Sequence, residues 1–87
     1  MSLDQQFEAA AEDIKILTKR PTNEELLELY ALFKQATVGD CDTSKPGMFD
    51  MKAKAKWDAW QNKKGTSKEA AKQAYVDCVK NLMEKYK

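Results

Sequence analysis

The stretch Ser67–Tyr86, SKEAAKQAYVDCVKNLMEKY, has the most regular amphipathic pattern in the chain and points to the fold class. Its apolar side chains recur at intervals of three and four positions: Ala71, Ala74, Tyr75, Cys78, Val79, Leu82 and Tyr86. This spacing places them on one face of an α-helix. Thr66 and Glu69 have capping-box spacing, which marks a helix start. We therefore predict a helix over Ser67–Tyr86.

Three further helices are predicted upstream from the same periodicity. Their spans are Leu3–Leu17, Asn23–Thr37 and Met51–Lys63. Capping pairs precede the first two helices and an N-cap precedes the third; these are Ser2 with Gln5, Thr22 with Glu25, and Asp50. Pro21 requires the first helix to end before it, and Gly39 suits the end of the second. Since two of the three connections are short, the sequence predicts an all-α, antiparallel four-helix bundle.

The long loop Val38–Phe49 separates the second and third helices, and loops of this length are often functional. Lys45-Pro46-Gly47 suits a turn in which Gly47 adopts a positive φ. We expect Met48, Phe49 and Met51 to anchor the end of this loop to the core. Trp57 and Trp60 lie among alanines and are also predicted to be core residues.

Length and composition limit the function. The 87 residues predict one domain over 1–87, and the net charge of +1 argues against nucleic-acid binding. The sequence has no apolar run of membrane-spanning length and no secretory or transit signature at its N-terminus, so we expect a cytoplasmic protein without stable membrane insertion. Cys41 and Cys78 are predicted to be free thiols, since they lack CxxC spacing.

Catalysis is not expected. The sequence has no histidine, which removes the commonest general base and transition-metal ligand, and it contains none of the common nucleophile, metal or phosphate-loop motifs. We therefore expect no enzyme activity and no metal site.

Two residue pairs are candidates for ligand binding. Tyr30 and Lys34 are spaced i, i+4 on the second helix, and Lys52 and Lys56 have the same spacing on the third. Ammonium groups beside aromatic rings suit a nucleotide, because the charges bind phosphate and a ring can stack on the base. The alternative from periodicity alone is that the lysines are simply solvated and that Tyr30 and Phe33 belong to the core.

Four segments together resemble the acyl-CoA-binding protein family, also called diazepam-binding inhibitor. They are Lys34-Gln35-Ala36-Thr37-Val38-Gly39-Asp40, Lys45-Pro46-Gly47, Lys54-Ala55-Lys56-Trp57-Asp58-Ala59-Trp60 and Lys64-Gly65-Thr66-Ser67-Lys68-Glu69. The resemblance covers essentially the whole chain. It implies an up-down-down-up four-helix bundle with a long overhand loop between the second and third helices. It also implies binding of medium- to long-chain acyl-CoA, without a cofactor, as an intracellular pool and transporter.

The resemblance further implies individual roles. Lys34 and Lys56 match ligands of the CoA 3′-phosphate, and Tyr30 matches a hydrogen-bonding residue in that region. Lys15 and Lys52 match further contacts to the CoA head. Contacts to the nucleotide and to the acyl chain are implied for a second set: Phe33 and Tyr75 at adenine and ribose, and Ala11, Leu26 and Leu27 in an acyl groove. Many relatives have tyrosine at position 33, so Phe33 keeps the ring but lacks the hydroxyl.

Other interpretations stay open at this point. A small helical bundle with a long loop is also typical of a protein-interaction module, and the family is linked to regulatory peptide precursors. Acyl-CoA-binding domains also occur fused to enzymes, although no second domain is predicted here. We expect a monomer, with acyl-CoA thioesters and acyl-CoA-using enzymes as partners.

Overall fold

The computed structural model describes residues 2–41, 44–47 and 49–86. Within these ranges the chain forms four α-helices, a short 3-10 turn and no strand. The helices are α1 (Leu3–Asp13), α2 (Asn23–Thr37), α3 (Met51–Gln61) and α4 (Lys68–Lys85), and the 3-10 turn spans Ile14–Ile16. None of the helices in these ranges is long and apolar enough to cross a membrane. The all-α prediction is confirmed.

The helix starts follow the capping residues. At α1, Ser2 Oγ accepts a hydrogen bond from the Gln5 N–H at 3.2 Å, and Gln5 Oε1 accepts one from the Ser2 N–H at 3.0 Å. Thr22 and Glu25 form the same reciprocal pair at α2, at 3.1 and 2.8 Å. Both predicted capping boxes are confirmed, and α2 has its predicted bounds.

The start of α4 differs from its prediction. Ser67, not Thr66, is the N-cap, and its hydroxyl accepts from the Ala70 N–H at 3.1 Å. Thr66 instead belongs to the preceding turn, where its N–H donates to the Lys63 carbonyl at 3.0 Å. The predicted capping box of Thr66 and Glu69 is therefore wrong by one residue.

Two helix ends were also predicted too late. α1 ends at Asp13 rather than Leu17, because the chain tightens into a 3-10 turn and Leu17 is already extended, with φ −61° and ψ 129°. α3 ends at Gln61 rather than Lys63. Beyond it, successive i to i+3 hydrogen bonds replace the helical ones and lead to Gly65, whose φ is +93°.

Contacts between helix ends establish the topology. Trp60, near the end of α3, donates to the carbonyl of Gly39, just after α2, so these two helices run parallel. Tyr86 after α4 donates to Glu25 near the start of α2, so these two run antiparallel. Lys72 in the first turns of α4 pairs with Asp4 in the first turn of α1, at 2.6 Å. These contacts give the up-down-down-up order that the resemblance implied.

The core lies where α4 packs between α1 and α2. The predicted face of α4 is confirmed, and Val76, which the periodicity missed, is also buried. α1 contributes Phe7 and Ala10 to the same cluster. α2 contributes Leu29, Leu32 and Ala36. Because α2 also packs against α3, its buried residues are not confined to one narrow stripe.

Several predicted core residues are wrong. Trp60 is buried, but Trp57 is only half-buried. Phe49 and Met51 do not anchor the loop, since they are 95% and 72% exposed. Phe49 lies in the turn that precedes α3 and Met51 is the first residue of that helix, and the turn is closed by a backbone hydrogen bond from Asp50 to Gly47. Met48 lies outside the described residues.

The loop turn is also displaced from its predicted place. The Asp50 N–H donates to the Gly47 carbonyl at 3.1 Å, so the turn follows Lys45-Pro46-Gly47 instead of being centred on it. Gly47 does not have a positive φ; Gly39 and Gly65 do. Asp50 nevertheless caps α3 as predicted, accepting from the Ala53 N–H at 3.1 Å.

A polar cluster ties the end of α2 to the turn between α3 and α4. The Nε2 of Gln35, which is fully buried, donates to Asp40 Oδ1 at 2.8 Å and to the Thr66 carbonyl at 2.7 Å. Asp40 Oδ1 also accepts from the Gly65 N–H at 2.9 Å. These two hydrogen bonds to Asp40 hold the pKa of its carboxyl below the usual value, that from Gly65 most strongly. The cluster therefore holds the C-terminal end of α2 against the turn that follows α3.

Candidate ligand-binding site

An open pocket of about 530 Å³ lies between the N-terminal halves of α2 and α3. Its lining combines apolar side chains with basic ones: Arg20, Asn23, Leu26, Leu27, Tyr30, Met51, Lys52, Ala55 and Lys56. The volume falls within the roughly 300 to 1,000 Å³ of typical small-molecule sites. An amphiphile with an anionic head fits this combination.

Helical spacing explains the lining. On α2, Asn23, Leu27 and Tyr30 are separated by four and then three residues, so they share one side of the helix. On α3, Met51 with Ala55 and Lys52 with Lys56 are each spaced i, i+4. Since α2 and α3 run parallel, their first turns lie at the same end and both sets face one space.

Each of two lysines lies over an aromatic ring. The Lys56 Nζ is 5.4 Å from the centre of the Tyr30 ring, and the Lys34 Nζ is 5.6 Å from that of Trp60. Both contacts join α2 to α3, and both are within cation–π range. The predicted pairing of lysines with aromatic rings is therefore present, but between helices rather than along one.

The basic side chains at the pocket are not neutralised. Throughout the described ranges, no carboxylate lies within ion-pair distance of Arg20, Lys52 or Lys56, nor of Lys34, which lies outside the lining further along α2. Elsewhere in the chain, Lys63 and Lys72 do have carboxylate partners. Several like charges held close together without a partner favour an anionic ligand.

Three aromatic rings, one each from α1, α2 and α4, pack against one another. Phe33 stacks on Phe7 with ring centres 5.5 Å apart, and Tyr75 meets both rings at 5.0 and 5.9 Å. Phe33 is 39% exposed, whereas Tyr75 is only 4% exposed. Burial raises the pKa of the Tyr75 hydroxyl, which therefore stays protonated. Phe33 thus offers one ring face to solvent, supported from below.

A sequence model of the family described as Acyl CoA binding protein matches residues 4–79. The chain belongs to the acyl-CoA-binding protein family. It is 60% identical over 84 residues to the acyl-CoA-binding protein homolog of Drosophila melanogaster, covering 97% of this chain and 98% of that protein. It is 59% identical over 80 residues to the acyl-CoA-binding protein homolog 1 of Caenorhabditis elegans, covering 92% of this chain and 93% of the relative.

Solved structures agree with this family membership. The crystal structure of Oryza sativa Acyl-CoA-Binding Protein 2 matches with a TM-score of 0.93 and 46% identity, over 97% of this chain and 93% of that one. The solution structure of the yeast acyl coenzyme A binding protein matches with a TM-score of 0.75 and 52% identity, over 95% of this chain and 96% of that one. The resemblance based on the four motifs and the four-helix bundle are both confirmed.

The site residues that the family resemblance implied are only partly brought together. Tyr30, Lys52 and Lys56 line the pocket, as do the two leucines Leu26 and Leu27. Lys34, Phe33 and Tyr75 lie outside its lining. Lys15 is exposed on the 3-10 turn, 3.4 Å from Glu12, and Ala11 packs against the core cluster.

Four lining residues were missed by sequence reasoning: Arg20, Asn23, Met51 and Ala55. Asn23 is spaced i, i+4 with Leu27, and this spacing could have identified it. Met51 and Ala55 directly precede the predicted lysines Lys52 and Lys56, so they lie on the same turns of α3. Arg20 precedes α2 in an irregular segment, so no periodicity could assign it to the pocket.

A second groove, of about 720 Å³, lies between α1 and α4 and is a weaker candidate. Its rim has Asp13 and Glu84 beside Lys80, so charges of both signs face it. It contains none of the residues that the family resemblance implied. The pocket between α2 and α3 is therefore the candidate site of this family member.

Proposed function

We propose that this chain binds medium- to long-chain acyl-CoA thioesters in the pocket between α2 and α3, and serves as an intracellular acyl-CoA pool and transporter. The observation that carries the proposal is the pocket itself, which combines apolar side chains with cations that have no carboxylate partner among the described residues. Family membership supports the same ligand class. The interaction-module alternative has no comparable observation in its favour.

The CoA phosphates would bind at the basic side chains. Lys34 and Lys56 extend from neighbouring helices and would converge on the 3′-phosphate, each leaving an aromatic face for a stronger anionic partner. Tyr30, beneath Lys56, would donate a hydrogen bond in the same region. Lys52 and Arg20 at the pocket would bind the remaining phosphates, together with Lys15, whose exposed pairing with Glu12 is weak enough to exchange.

The adenine ring would stack on Phe33. Stacking of a base on an aromatic side chain contributes about 1 to 3 kcal/mol and needs no hydroxyl, so phenylalanine suffices here. Tyr75 and Phe7 hold the Phe33 ring in place. In this proposal Tyr75 therefore acts chiefly by supporting the platform from the core.

The acyl chain would lie over the apolar lining. Leu26 and Leu27 form one wall and Met51 with Ala55 the other, while Ala11 remains a further candidate from the family resemblance. Each buried CH₂ contributes roughly 0.8 kcal/mol, so a sheltered 16-carbon chain supplies on the order of 12 kcal/mol before association costs. Because the association costs offset a large part of this free energy, both the CoA head and the acyl chain are needed for nanomolar binding.

No chemistry on the thioester is proposed. The proposal is that the protein releases the ligand unchanged, acts as a cytoplasmic monomer, and passes acyl-CoA to the enzymes that use it. Incubation with palmitoyl-CoA followed by mass analysis should therefore recover the thioester intact.

The decisive experiment is calorimetric titration with palmitoyl-CoA, free CoA and palmitate in separate runs. We expect tight one-to-one binding of the thioester and weak binding of either half. Absence of palmitoyl-CoA binding would overturn the proposal. Equally tight binding of palmitate alone would contradict the role of the basic side chains.

A further inference from the structure

The carboxylate of Glu25, in the first turn of α2, is bound from two directions. From the end of α4, the Tyr86 hydroxyl donates a hydrogen bond to its Oε1, and the Lys85 ammonium lies 2.9 Å from its Oε2. From its own helix, the Thr22 N–H donates to Oε1 at 2.8 Å and completes the capping box. One side chain therefore joins the start of α2 to the end of α4.

This contact is more sheltered than other ion pairs between distant parts of the chain. The Glu25 side chain is 22% exposed, whereas Glu28 and Asp4, which pair with other lysines, are 47% and 73% exposed. Water and salt screen a sheltered pair less than an open one. The contacts with Tyr86 and Lys85 can therefore restrain α2 more strongly than an open surface ion pair would.

Glu25 lies behind one wall of the pocket. Asn23 and Leu27 line the pocket, and each is two residues from Glu25, so their side chains leave the helix on nearly the opposite side. Leu26, the next residue, lines the pocket too. The first turn of a helix lacks part of its intrahelical hydrogen bonding and opens easily unless other groups hold it. The contacts at Glu25 therefore determine how firmly this wall is held.

We propose that Tyr86 and Lys85 are positioning residues for the acyl chain and act through Glu25. They hold the wall of the pocket that Leu26 and Leu27 form. This role rests on the acyl-CoA binding proposed above. Within the described residues, neither Tyr86 nor Lys85 lines the pocket, so neither is expected to touch the ligand.

The positioning role predicts an effect on the acyl chain rather than on the CoA head. A loosened wall shelters fewer CH₂ groups from water, and the resulting loss of affinity grows with the length of the chain. The basic side chains Lys52 and Lys56 belong to α3, which Glu25 does not contact in the hydrogen bonds and ion pair described above. Binding of the phosphates should therefore persist when the contacts of Glu25 are removed.

The test is calorimetric titration with palmitoyl-CoA and octanoyl-CoA, at a temperature at which each variant is fully folded. Tyr86→Phe keeps the ring but loses the hydrogen bond to a carboxylate, and should weaken palmitoyl-CoA binding about fivefold. Lys85→Gln should weaken it about threefold, since this lysine is 59% exposed. Octanoyl-CoA covers less of the wall, so its affinity should fall by less than about twofold.

Hydrogen exchange gives a local readout in the ligand-free protein. The Leu26 N–H donates to the Thr22 carbonyl at 2.9 Å in the first turn of α2. Exchange at this amide should be about fivefold faster in Tyr86→Phe than in the wild type. Amides in the middle of α4 should change less.

Lys72→Gln is the matched control. It removes the 2.6 Å ion pair with Asp4, which also ties α4 to another helix, but neither residue lines the pocket. The preference for palmitoyl-CoA over octanoyl-CoA should stay at its wild-type value, whatever happens to the melting temperature. Exchange at the Leu26 amide should also remain at its wild-type rate.

Two results would overturn the positioning role alone. One is a wild-type chain-length preference in Tyr86→Phe and Lys85→Gln; the other is equal weakening of both thioesters, which would indicate a general effect on the fold. Tight palmitoyl-CoA binding by the wild type would leave the proposed function standing in either case. If Tyr86→Phe does not fold, Lys85→Gln provides the same test. Absence of palmitoyl-CoA binding by the wild type would refute the proposed function and the positioning role together.

Discussion

The ammonium nitrogen of Lys56 lies 5.4 Å from the centre of the Tyr30 ring, so α3 supplies the charge and α2 the aromatic face. Both side chains line the candidate pocket, yet Lys56 is exposed and has no carboxylate partner within the described ranges. The charge of Lys56 therefore contributes little to the stability of the fold. Replacing this side chain should change ligand binding without changing stability, and both can be measured.

Lys56→Ala should weaken palmitoyl-CoA binding by about 10- to 100-fold, because a hydrogen bond to a charged group contributes roughly 1.5 to 3 kcal/mol. Thermal stability should change little, since an exposed cation–π contact is worth only about 0.5 to 1 kcal/mol. Calorimetry and thermal unfolding measure the two effects. Lys80→Ala, on the far groove, is the control and should alter neither. Unfolding of Lys56→Ala would mean that this lysine is structural.

Glu25 gives the fold a defined pH dependence. The hydrogen bond from the Tyr86 hydroxyl, then those from the Thr22 N–H and the Lys85 ammonium, lower the pKa of Glu25 from 4.5 to about 2. Because the pKa is lower in the folded than in the unfolded chain, ionised Glu25 stabilises the fold fully above pH 4.5. That contribution is lost as the pH falls from 4.5 to about 2.

Glu25→Gln should therefore be less stable than the wild type at pH 7, and the difference should shrink as the pH is lowered through this range. Urea unfolding at a series of pH values measures the difference in the free energy of unfolding between Glu25→Gln and the wild type. Glu24→Gln, one residue earlier in the same turn, has no such set of contacts within the described residues and should show no comparable narrowing. A stability difference for Glu25→Gln that stays constant down to pH 2 would contradict the assignment.

Local signals predicted much of this fold. Ser2 with Gln5 and Thr22 with Glu25 are short-range hydrogen-bonded pairs, so spacing alone identified them. The face of α4 was equally clear, because α1 and α2 together cover one broad side of it. Such features depend on neighbours in the sequence or on one dominant burial direction.

The burial of residues that contact more than one helix could not be predicted from the sequence. α2 packs against both α3 and α4, so periodicity could not separate the core residue Leu29 from Leu26 and Tyr30, which line the pocket. Trp57 lies among alanines, as Trp60 does, but only Trp60 is buried, with its Nε1 2.8 Å from the Gly39 carbonyl. That hydrogen bond spans 21 residues. No local pattern encodes it.

The two tryptophans of α3 should differ in their effect on stability. Trp60→Ala should cost about 3 to 5 kcal/mol, as expected for a buried aromatic residue, whereas the half-buried Trp57→Ala should cost clearly less. Trp60→Phe keeps most of the ring but loses the hydrogen bond to Gly39, which should cost about 1 kcal/mol or more. Urea unfolding of the three variants gives the order of their stabilities. An equal loss in Trp57→Ala and Trp60→Ala would contradict the burial difference.

Gln35 and Lys34 are adjacent in sequence, but Gln35 stabilises the fold and Lys34 is proposed to bind the ligand. Gln35 is fully buried, and its Nε2 joins α2 to Asp40 and to the Thr66 carbonyl. Gln35→Leu has a similar size but leaves that carbonyl without its donor. We expect a loss of about 2 to 4 kcal/mol in the free energy of unfolding. The pKa of Asp40 should rise toward its usual value, although the Gly65 N–H, its stronger partner, remains.

Lys34→Ala is the matched comparison for Gln35→Leu. It should weaken palmitoyl-CoA binding while leaving urea unfolding nearly unchanged, since the Lys34 ammonium lies over the Trp60 ring and has no carboxylate partner within the described residues. Gln35→Leu should show the reverse, with its folded fraction binding at close to wild-type affinity. An NMR titration of the Asp40 carboxyl adds a readout that general destabilisation would not move. Wild-type stability in Gln35→Leu would mean that the polar cluster does not stabilise the contact between the end of α2 and the turn after α3.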